Sequence, residues 1–375
     1  RQGGMQVSYT VNRETLLRAV KLATSVLPRT TPKEILKGVL IQAGKDQLTI
    51  KATDLDSVSL CVTVQAEGRD SFEALPDASR MGAVLQEAGC ETLSLGKRDD
   101  ELSVTTDFAE TVLKDLDNPG SYPNTVHADP ESVITIEANK LYPALKRVVM
   151  YCSDQSARYA LTGVKFEREE GKLILVATDG RWLGVEEIPC PSCTADTGCR
   201  VIPEKAIKLL LSAMKGDEGE VAIGFVGNNV SFTVGSLTLY ARLVEGRFPT
   251  WREVFPKSHS VKLPLNAGTL LSVTRQAVVM TTDESKGVDY TFDNSLLTLV
   301  SCDPVAGKAE IKLPIAYDGK RHHVCFDGQL MAGVLSQWGG DTEFEACFTK
   351  DNTVVEFRFP NDFRAIVVPL SRGEK

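Results

Sequence analysis

The chain repeats one pattern three times at intervals of about 125 residues, and this repetition restricts the folds it can adopt. The three copies begin at Gly38-Val39, Gly163-Val164 and Gly287-Val288. In each copy a leucine follows the glycine by 10 residues and an aspartate follows it by 16. Because no copy has an insertion or deletion between these markers, we expect all three to fold alike.

Each copy has the pattern of a β-hairpin, with two alternating strands around a polar turn. The turns are Gly44-Lys45-Asp46, Glu169-Glu170-Gly171 and Asp293-Asn294-Ser295. Apolar residues at helical spacing precede each hairpin, and a second helical stripe follows it after a short strand. The pattern therefore predicts an α+β fold in which each repeat has the order β-α-β-β-β twice, with two helices packed on antiparallel sheet.

Proline-containing connectors separate the repeats at residues 118–124 and 245–250. Proline stiffens such connectors and stops strands from running through them. We therefore predict three tandem domains, formed by residues 1–126, 132–254 and 260–375.

The net charge of −8 hides three basic segments. Residues 13–29, 139–158 and 203–215 carry net charges of +3, +3 and +2, so the rest of the chain totals −16. Such a surface suits weak, sequence-independent contact with phosphates, although basic residues also commonly decorate solvated helices. The candidate DNA-facing residues are Arg13, Arg18, Lys21, Arg29, Lys146, Arg147, Lys205 and Lys208.

Several other functional classes lack support in the sequence. No phosphate-binding glycine loop, nucleophile elbow or zinc-protease motif occurs, so we predict neither an enzyme nor any catalytic residue. Asp54, Asp179 and Asp303 recur once per repeat and are interpreted as turn residues rather than a carboxylate cluster. No apolar run reaches the roughly 18 residues of a membrane span, and no signal peptide is evident, which favours a cytoplasmic protein.

Nine scattered cysteines favour reduced thiols over a disulfide framework. Cys190 and Cys193 form a C-x-x-C motif, and Cys199 follows six residues later. A structural zinc ion normally needs four ligands, and no nearby histidine or cysteine supplies the fourth. We therefore predict loop thiols, with no metal and no cofactor.

The threefold repeat and several sequence runs resemble the family of bacterial DNA polymerase III beta subunits, the sliding clamps. The resemblance extends from Met5 to about Arg372. Its most specific runs are Leu175-Val176-Ala177-Thr178-Asp179-Gly180 and Leu243-Val244-Glu245-Gly246-Arg247-Phe248-Pro249, supported by Val367-Val368-Pro369-Leu370 and Arg158-Tyr159-Ala160-Leu161-Thr162-Gly163.

The resemblance implies a head-to-tail homodimer that closes as a six-domain ring of clamp domains around duplex DNA, with the helices lining the hole. Twelve helices at about 8–10 Å spacing would lie on a circle roughly 30–38 Å across, close to the size that admits a duplex. Val279 and Met280 are expected at the dimer interface. The implied partners are the catalytic subunit of DNA polymerase III, the clamp loader and other replication and repair proteins.

The family also has a pocket that binds short peptides of its partners. The corresponding residues here are Leu161, Thr178, Gly180, Arg181, Trp182, Leu183, Pro249, Val254, Ile366, Val367, Val368, Pro369 and Leu370. We interpret Trp182 as a pocket wall rather than core filler, because it follows a turn glycine. The chain departs from the family at Arg181-Trp182, where a His-Arg pair is common, and at Val368, where methionine is frequent, which leaves the peptide preference open.

Two loops complete the predicted DNA surface. Arg29-Thr30-Thr31 resembles the family's basic loop at the inner rim, and Gln155 and Arg158 fall on the matching loop of the second domain. The alternative function is a ring-shaped or repeat scaffold that does not tether DNA.

Overall fold

The computed structural model describes residues 7–124, 130, 132–154, 160–194, 196–216, 218–350 and 353–371. The chain forms two compact units, and each unit is made of two segments. Unit 1 comprises Arg1–Tyr142 and Ile202–Val244, and unit 2 comprises Pro143–Val201 and Glu245–Lys375.

The described part of the chain contains six α-helices, two for each predicted repeat. They are α1 (Arg13–Val26), α2 (Ala78–Glu87), α3 (Ala138–Val148), α4 (Glu204–Met214), α5 (Ala267–Val278) and α6 (Gly328–Leu335). Side chains of Asn12, Asp77, Asn266 and Asp327 cap α1, α2, α5 and α6 by accepting hydrogen bonds from first-turn amides, which satisfies backbone donors that have no partner within the helix.

Unit 1 is built on one twelve-stranded antiparallel sheet. Its strands are β1 (Val7–Asn12), β2 (Leu40–Gly44), β3 (Gln47–Thr53), β4 (Val58–Glu67), β5 (Phe72–Ala74), β6 (Thr92–Arg98), β7 (Glu101–Thr105), β8 (Glu110–Lys114), β9 (Ser132–Glu137), β14 (Glu220–Val226), β15 (Asn229–Val234) and β16 (Leu237–Arg242). The main path runs β8-β7-β6-β1-β4-β16-β15-β14-β9, and β2, β3 and β5 branch from it.

Unit 2 contains an eight-stranded and a four-stranded sheet. The larger sheet has the order β13 (Asp196–Pro203), β10 (Gly163–Glu169), β11 (Lys172–Thr178), β12 (Trp182–Pro189), β24 (Phe363–Val367), β23 (Val355–Arg358), β22 (Glu343–Phe348) and β17 (Val261–Asn266). The smaller sheet has the order β20 (Gly307–Pro314), β19 (Leu296–Asp303), β18 (Gly287–Asp293) and β21 (His322–Asp327).

The element order confirms the predicted β-α-β-β-β pattern twice in each repeat. All three hairpins form where expected, and their turns contain residues of positive φ, among them Asp46, Gly171 and Asn294. Trp338 lies beyond the end of α6, where its ring stacks on Phe359.

The compact units do not coincide with the three predicted domains. The reason is that strands of successive repeats pair with each other: β4 pairs with β16, and β12 pairs with β24. Each unit is therefore held together by main-chain hydrogen bonds between residues more than 150 positions apart in the sequence.

A buried ion pair stabilises unit 2 beneath α3. Arg147 on α3 makes two hydrogen bonds to the carboxylate of Glu186 on β12, one of them 2.8 Å from Nε to Oε2. The Arg147 and Glu186 side chains are only 13% and 4% exposed, and the guanidinium lies 5.1 Å from the ring centroid of Trp338. Burial raises the pKa of Glu186, although the Arg147 guanidinium opposes this effect.

Replacing Arg147 with methionine should destabilise the chain, because Glu186 would remain as a buried charge without its partner. We expect the free energy of unfolding to fall by about 3–5 kcal/mol near neutral pH in denaturant titrations. The loss should shrink as the pH falls below 4.5, the ordinary pKa of glutamate, because Glu186 then becomes neutral in both states.

The direction of this pH dependence follows from the raised pKa of Glu186. The folded state binds the proton more tightly than the unfolded state, so the free energy of unfolding declines as the pH rises through the folded pKa. Without Arg147 the pKa of Glu186 should rise further and this decline should steepen. Lys146→Met, on an exposed neighbour in the same helix, is the control and should unfold like wild type. A pH-independent loss in the Arg147→Met variant would contradict the assignment to Glu186.

Candidate functional site

In unit 2 the pairing of β12 with β24 brings part of the predicted peptide pocket together. Trp182 pairs with Val367 and Leu183 with Ile366. Past the end of β24 the pairing continues, because the Val368 amide donates to the Arg181 carbonyl over 2.8 Å. The Leu370 amide donates to the carbonyl of Cys325 over 2.8 Å. The final strand and its extension are therefore held against the turn that precedes β12.

That turn, residues 178–182, is fixed by its own side chains. The Thr178 hydroxyl donates to the Trp182 carbonyl over 2.6 Å and accepts from the Gly180 amide over 3.0 Å. Oδ1 of Asp179 accepts from the amides of Arg181 and Trp182 over 2.7 and 3.1 Å. Gly180 has a φ of +91°, which a residue with a Cβ rarely adopts. The Leu175–Gly180 run therefore encodes a rigid turn.

The predicted pocket residues differ in solvent exposure. Leu161, Thr178, Leu183, Ile366 and Val367 are buried. Val254 and Val368 are among the few large apolar side chains that are exposed, at 39% and 37%. Pro249 is exposed as well, and Pro369 and Leu370 are half-buried. The predicted pocket residues are therefore a mixture of buried and exposed apolar groups.

Trp182 was expected not to be core filler, but most of its ring packs in the core. Its place in the peptide pocket stays a prediction. The residue is 8% exposed, and its ring centroid lies 4.5 Å from that of Tyr151 in the core. Gly333 on α6 makes room for it, because a Cβ at Gly333 would lie 3.3 Å from Cζ3 of Trp182. Burial is favoured because a large aromatic ring gains more by leaving water than by lining a shallow surface.

Sequence reasoning missed a cavity of about 500 Å³ beside Arg181. It is lined by Arg181, Thr281, Thr282, Asp283, Lys286, Asp327, Gln329 and Leu330. Arg181 is mostly exposed and is paired with Asp179, its Nη2 lying 2.8 Å from Oδ2. The sequence offered one signal for this region: Asp327 is a polar residue between a buried strand and a helix, which marks the amino-terminal cap of α6. Only Arg181 had been predicted among these residues.

In unit 1, α1 and α4 hold each other at their carboxyl ends. Arg18 on α1 donates to the Ala213 carbonyl near the end of α4 over 3.1 Å. Lys205 on α4 donates to the Val26 carbonyl at the end of α1 over 2.9 Å, and its Nζ lies 2.7 Å from Oδ2 of Asp54. Cations are favourable at helix carboxyl ends, where carbonyl oxygens lack partners. Although burial alone would raise the pKa of Asp54, its hydrogen bonds, that of Lys205 among them, lower it.

Three residues predicted to face DNA make hydrogen bonds within the protein. Arg147 is bound to Glu186, and Lys205 joins α4 to α1. Arg13 is half-buried and donates to the carbonyls of Cys90 and Leu85 over 2.9 and 3.2 Å. The sequence does not reveal these contacts, because a basic residue near a helix carboxyl end or a buried carboxylate resembles a surface cation. Contact of the three residues with DNA stays a prediction.

Among the remaining predicted cations, Arg18 makes a similar contact, with the Ala213 carbonyl, but stays exposed. Arg18, Lys21, Arg29, Lys146 and Lys208 are exposed. Lys21 donates to the Gln86 amide oxygen, and Lys208 pairs with Glu204 one turn away, contacts that exposed side chains exchange easily. Gln155 and Arg158 lie outside the described residues.

The predicted self-association residues lie beside a sheet edge. Val279, directly after α5, is 70% exposed, and Met280 approaches Gly307 at the start of β20. Val305, before β20, is 94% exposed, and Phe108, before β8, is 99% exposed. Both β8 and β20 end their sheets.

Two further observations limit the chemistry of the described residues. They contain no cluster of three or more histidine, cysteine, aspartate or glutamate side chains able to hold a metal ion. None of the helices they form is both long enough and apolar enough to cross a bilayer.

Solved structures share this fold over nearly the whole chain. The sliding clamp (DNA polymerase III subunit beta) of Pseudomonas aeruginosa bound to griselimycin superposes with a TM-score of 0.92 at 22% identity, covering 98% of this chain and 100% of that one. The DNA polymerase III beta subunit of Thermotoga maritima gives a TM-score of 0.89 at 19% identity, covering 98% of this chain and 100% of that one.

Sequence comparison points the same way. The chain is 25% identical to the beta sliding clamp of Chlamydia pneumoniae over 88% of this chain and 89% of that protein, and 24% identical to that of Pseudomonas aeruginosa over 96% and 99%. Residues 7–124 match the family model of the DNA polymerase III beta subunit N-terminal domain, and residues 135–250 match that of its central domain. Since these two models together match more than half of the sequence, the chain belongs to the family of DNA polymerase III beta subunits, the bacterial beta sliding clamps.

Proposed function

We propose that two copies of this chain close head to tail into a six-domain ring around duplex DNA, and that the ring tethers the replicative polymerase and other replication and repair proteins. Each chain contributes three domains, residues 1–126, 132–254 and 260–375. The ring acts in the cytoplasm by topological linkage and not by catalysis. Membership of the sliding-clamp family supports this role in DNA replication.

The observation that carries the proposal is a strand pairing that occurs twice within the chain and is left open once. The strand after the hairpin of one repeat pairs with the last strand of the next repeat, as in β4 with β16 and β12 with β24. Among the described strands, the equivalent pair β20 and β8 has no such partner. Pairing β20 of each copy with β8 of the other completes the pattern and closes a dimer without leaving these edges exposed.

The repeats also define the register of the missing pair. One position is equivalent in the three repeats, because its residue pairs with the residue that precedes the repeated aspartate. The residues at this position are Ser59, Leu183 and Lys308. The fifth residue before α1 pairs with a residue of β6, that residue pairs with one of β7, and that one pairs with Val112 of β8. The same path from the fifth residue before α3 ends at Tyr240. From the fifth residue before α5 it ends at Ile366. Ser59 pairs with Tyr240 and Leu183 with Ile366, so Lys308 should pair with Val112, and Ala309 with Thr111.

Exposed apolar side chains support the same two edges. Phe108, Val305 and Val279 are the most exposed of the large apolar side chains in the described residues, and Val112 on β8 is half exposed. Exposed apolar groups gathered at unpaired strands are typical of a surface that is covered in the assembled protein.

Cysteines placed at Ala309 and Thr111 should cross-link two chains into a covalent dimer. The experiment uses the Cys302→Ser background, because Cys302 is an exposed thiol near β20. Under mild oxidation we expect a dimer on denaturing gels that a reductant reverses, because directly opposed strand residues lie close enough for a disulfide.

The control pairs Ala309→Cys with Thr105→Cys, because Thr105 lies on the neighbouring strand β7. This pair should cross-link poorly. A native chain that has the solution mass of a monomer, or equal cross-linking by both pairs, would contradict the proposed closure.

The ring should remain on circular DNA and leave it when the circle is cut. Exposed cations on α1, α3 and α4 can meet phosphates without reading bases, so contact with DNA should be weak and salt-dependent. We expect wild type, once loaded on nicked circular DNA, to persist through gel filtration and to be lost after linearisation.

Replacing Lys21, Lys146 and Lys208 with alanine should make residual DNA binding weaker and less dependent on salt. The matched control replaces the exposed Lys45, Lys262 and Lys350, which lie off the helices and should leave binding unchanged. Retention that is equal on circular and linear DNA would contradict encirclement, and no retention on either would favour the scaffold alternative.

The surface between β12 and the end of β24 fits a short extended peptide. Val254 and Val368 expose apolar surface, and the main chain around Arg181 and Val368 is fixed. A peptide with adjacent leucine and phenylalanine side chains could cover this surface while its polar groups reach the cavity beside Arg181.

Replacing Pro369 and Leu370 with alanine should abolish binding of such a peptide, because the apolar contact area and the stiffness of the final segment are both lost. Fluorescence anisotropy of a labelled peptide ending in Leu-Phe measures this directly, and the solution mass should stay that of wild type. Val133→Ala removes an exposed apolar side chain outside the pocket and is the control. Unchanged peptide affinity in the double variant would refute the pocket's location without affecting ring closure.

A further inference from the structure

The C-x-x-C motif after β12 forms a closed turn in unit 2. The Cys193 amide donates to the Cys190 carbonyl over 2.9 Å, which is the hydrogen bond of a β-turn. The Cys190 amide donates to the Gly171 carbonyl over 2.8 Å, and the Gly171 amide donates to the Cys193 carbonyl over 3.0 Å. The turn is therefore fastened at both ends to the hairpin turn between β10 and β11.

Both thiols of this turn face the interior next to each other. Cys190 and Cys193 are each 1% exposed, whereas Pro191 and Ser192 between them are exposed. The Cys193 thiol lies within hydrogen-bonding reach of both the Cys190 thiol and the buried side chain of Arg168. Arg168 is itself anchored on Thr194, donating to its hydroxyl over 2.8 Å and to its carbonyl over 3.2 Å.

We propose that Cys190 and Cys193 are a dithiol that converts reversibly into an intramolecular disulfide by exchange with a small-molecule disulfide such as oxidised glutathione. The ends of a β-turn lie within about 7 Å, and a disulfide spans about 4.4–6.8 Å between Cα atoms, so the bond can form without unfolding the turn. A metal ion is a poorer occupant, because the described residues supply no third ligand.

The exchange proceeds in two balanced steps. One cysteine loses its proton and its thiolate attacks a sulfur of oxidised glutathione, which breaks that S–S bond and releases one glutathione thiolate. The second cysteine, also deprotonated, attacks the protein sulfur of the mixed disulfide and releases the other glutathione thiolate. The two protons pass to the released thiolates, so the protein is oxidised by two electrons and the glutathione disulfide is reduced by two.

Burial sets the rate of this reaction. It raises the pKa of the Cys193 thiol to about 11, with Cys190 adding to the effect and Arg168 opposing it. Only a small fraction of this thiol is ionised at neutral pH, so the exchange should be slow there and accelerate as the pH rises.

Peptide mass mapping of the native chain tests the proposal. Trypsin releases residues 182–200 as one peptide that contains Cys190, Cys193 and Cys199. In a Cys199→Ser variant treated with oxidised glutathione, this peptide should lose the mass of two hydrogen atoms and regain it with dithiothreitol. Adding Cys190→Ser should leave one glutathione attached to Cys193, because the resolving thiol is gone.

The outcomes separate the alternatives. A peptide that stays fully reduced in the folded chain, or that keeps glutathione while both cysteines are present, would overturn the proposal. Wild-type fragments that pair Cys199 with either cysteine would overturn it as well. Cys325→Ser removes a buried thiol elsewhere and should change nothing. Peptide binding should be unaffected by oxidation, because the turn follows β12 at the end opposite Trp182.

Discussion

The structure depends on main-chain hydrogen bonds between strands of successive repeats. In unit 1, β4 pairs with β16, and in unit 2, β12 pairs with β24, so each pairing joins a hairpin of one repeat to the last strand of the next. An unpaired strand edge carries amides and carbonyls that need partners, and these pairings satisfy them inside the chain. Strands β8 and β20 are unpaired edges, although the strands equivalent to them in the other repeats are paired with each other. This difference is the physical basis for proposing ring closure between copies.

The two cross-repeat pairings have different surroundings, although they have the same backbone pattern. Beside β12 and β24, Arg147 and Glu186 form a buried ion pair under Trp338. The equivalent positions of Arg147 and Glu186 beside β4 and β16 are Leu22 and Val62, and these line a cavity of about 270 Å³. A repeated backbone therefore does not require a repeated core, because each junction needs only to fill its space and satisfy its polar groups.

The candidate site illustrates how a local motif and a distant segment combine. The turn at residues 178–182 is rigid because Thr178 and Asp179 bind its amides, and this follows from five neighbouring residues. The proposed peptide surface also requires the last strand, which is almost 190 residues away in the sequence and places Val368 beside Arg181. The cavity beside Arg181 was found only in the structure.

The repeats, the hairpins, the helices and the α+β class could be predicted from the sequence, because periodic apolar residues and turn residues act over a few positions and recur at equal spacing. It also placed the rigid turn at Asp179. Only the tertiary structure decided which basic residues remain available, since Arg13, Arg147 and Lys205 look like surface cations until their carbonyl and carboxylate partners are seen. It likewise moved most of Trp182 into the core, because the space beside Gly333 and Tyr151 is created by elements far apart in the chain. Local patterns encode local structure, but burial and pairing depend on what the fold brings together.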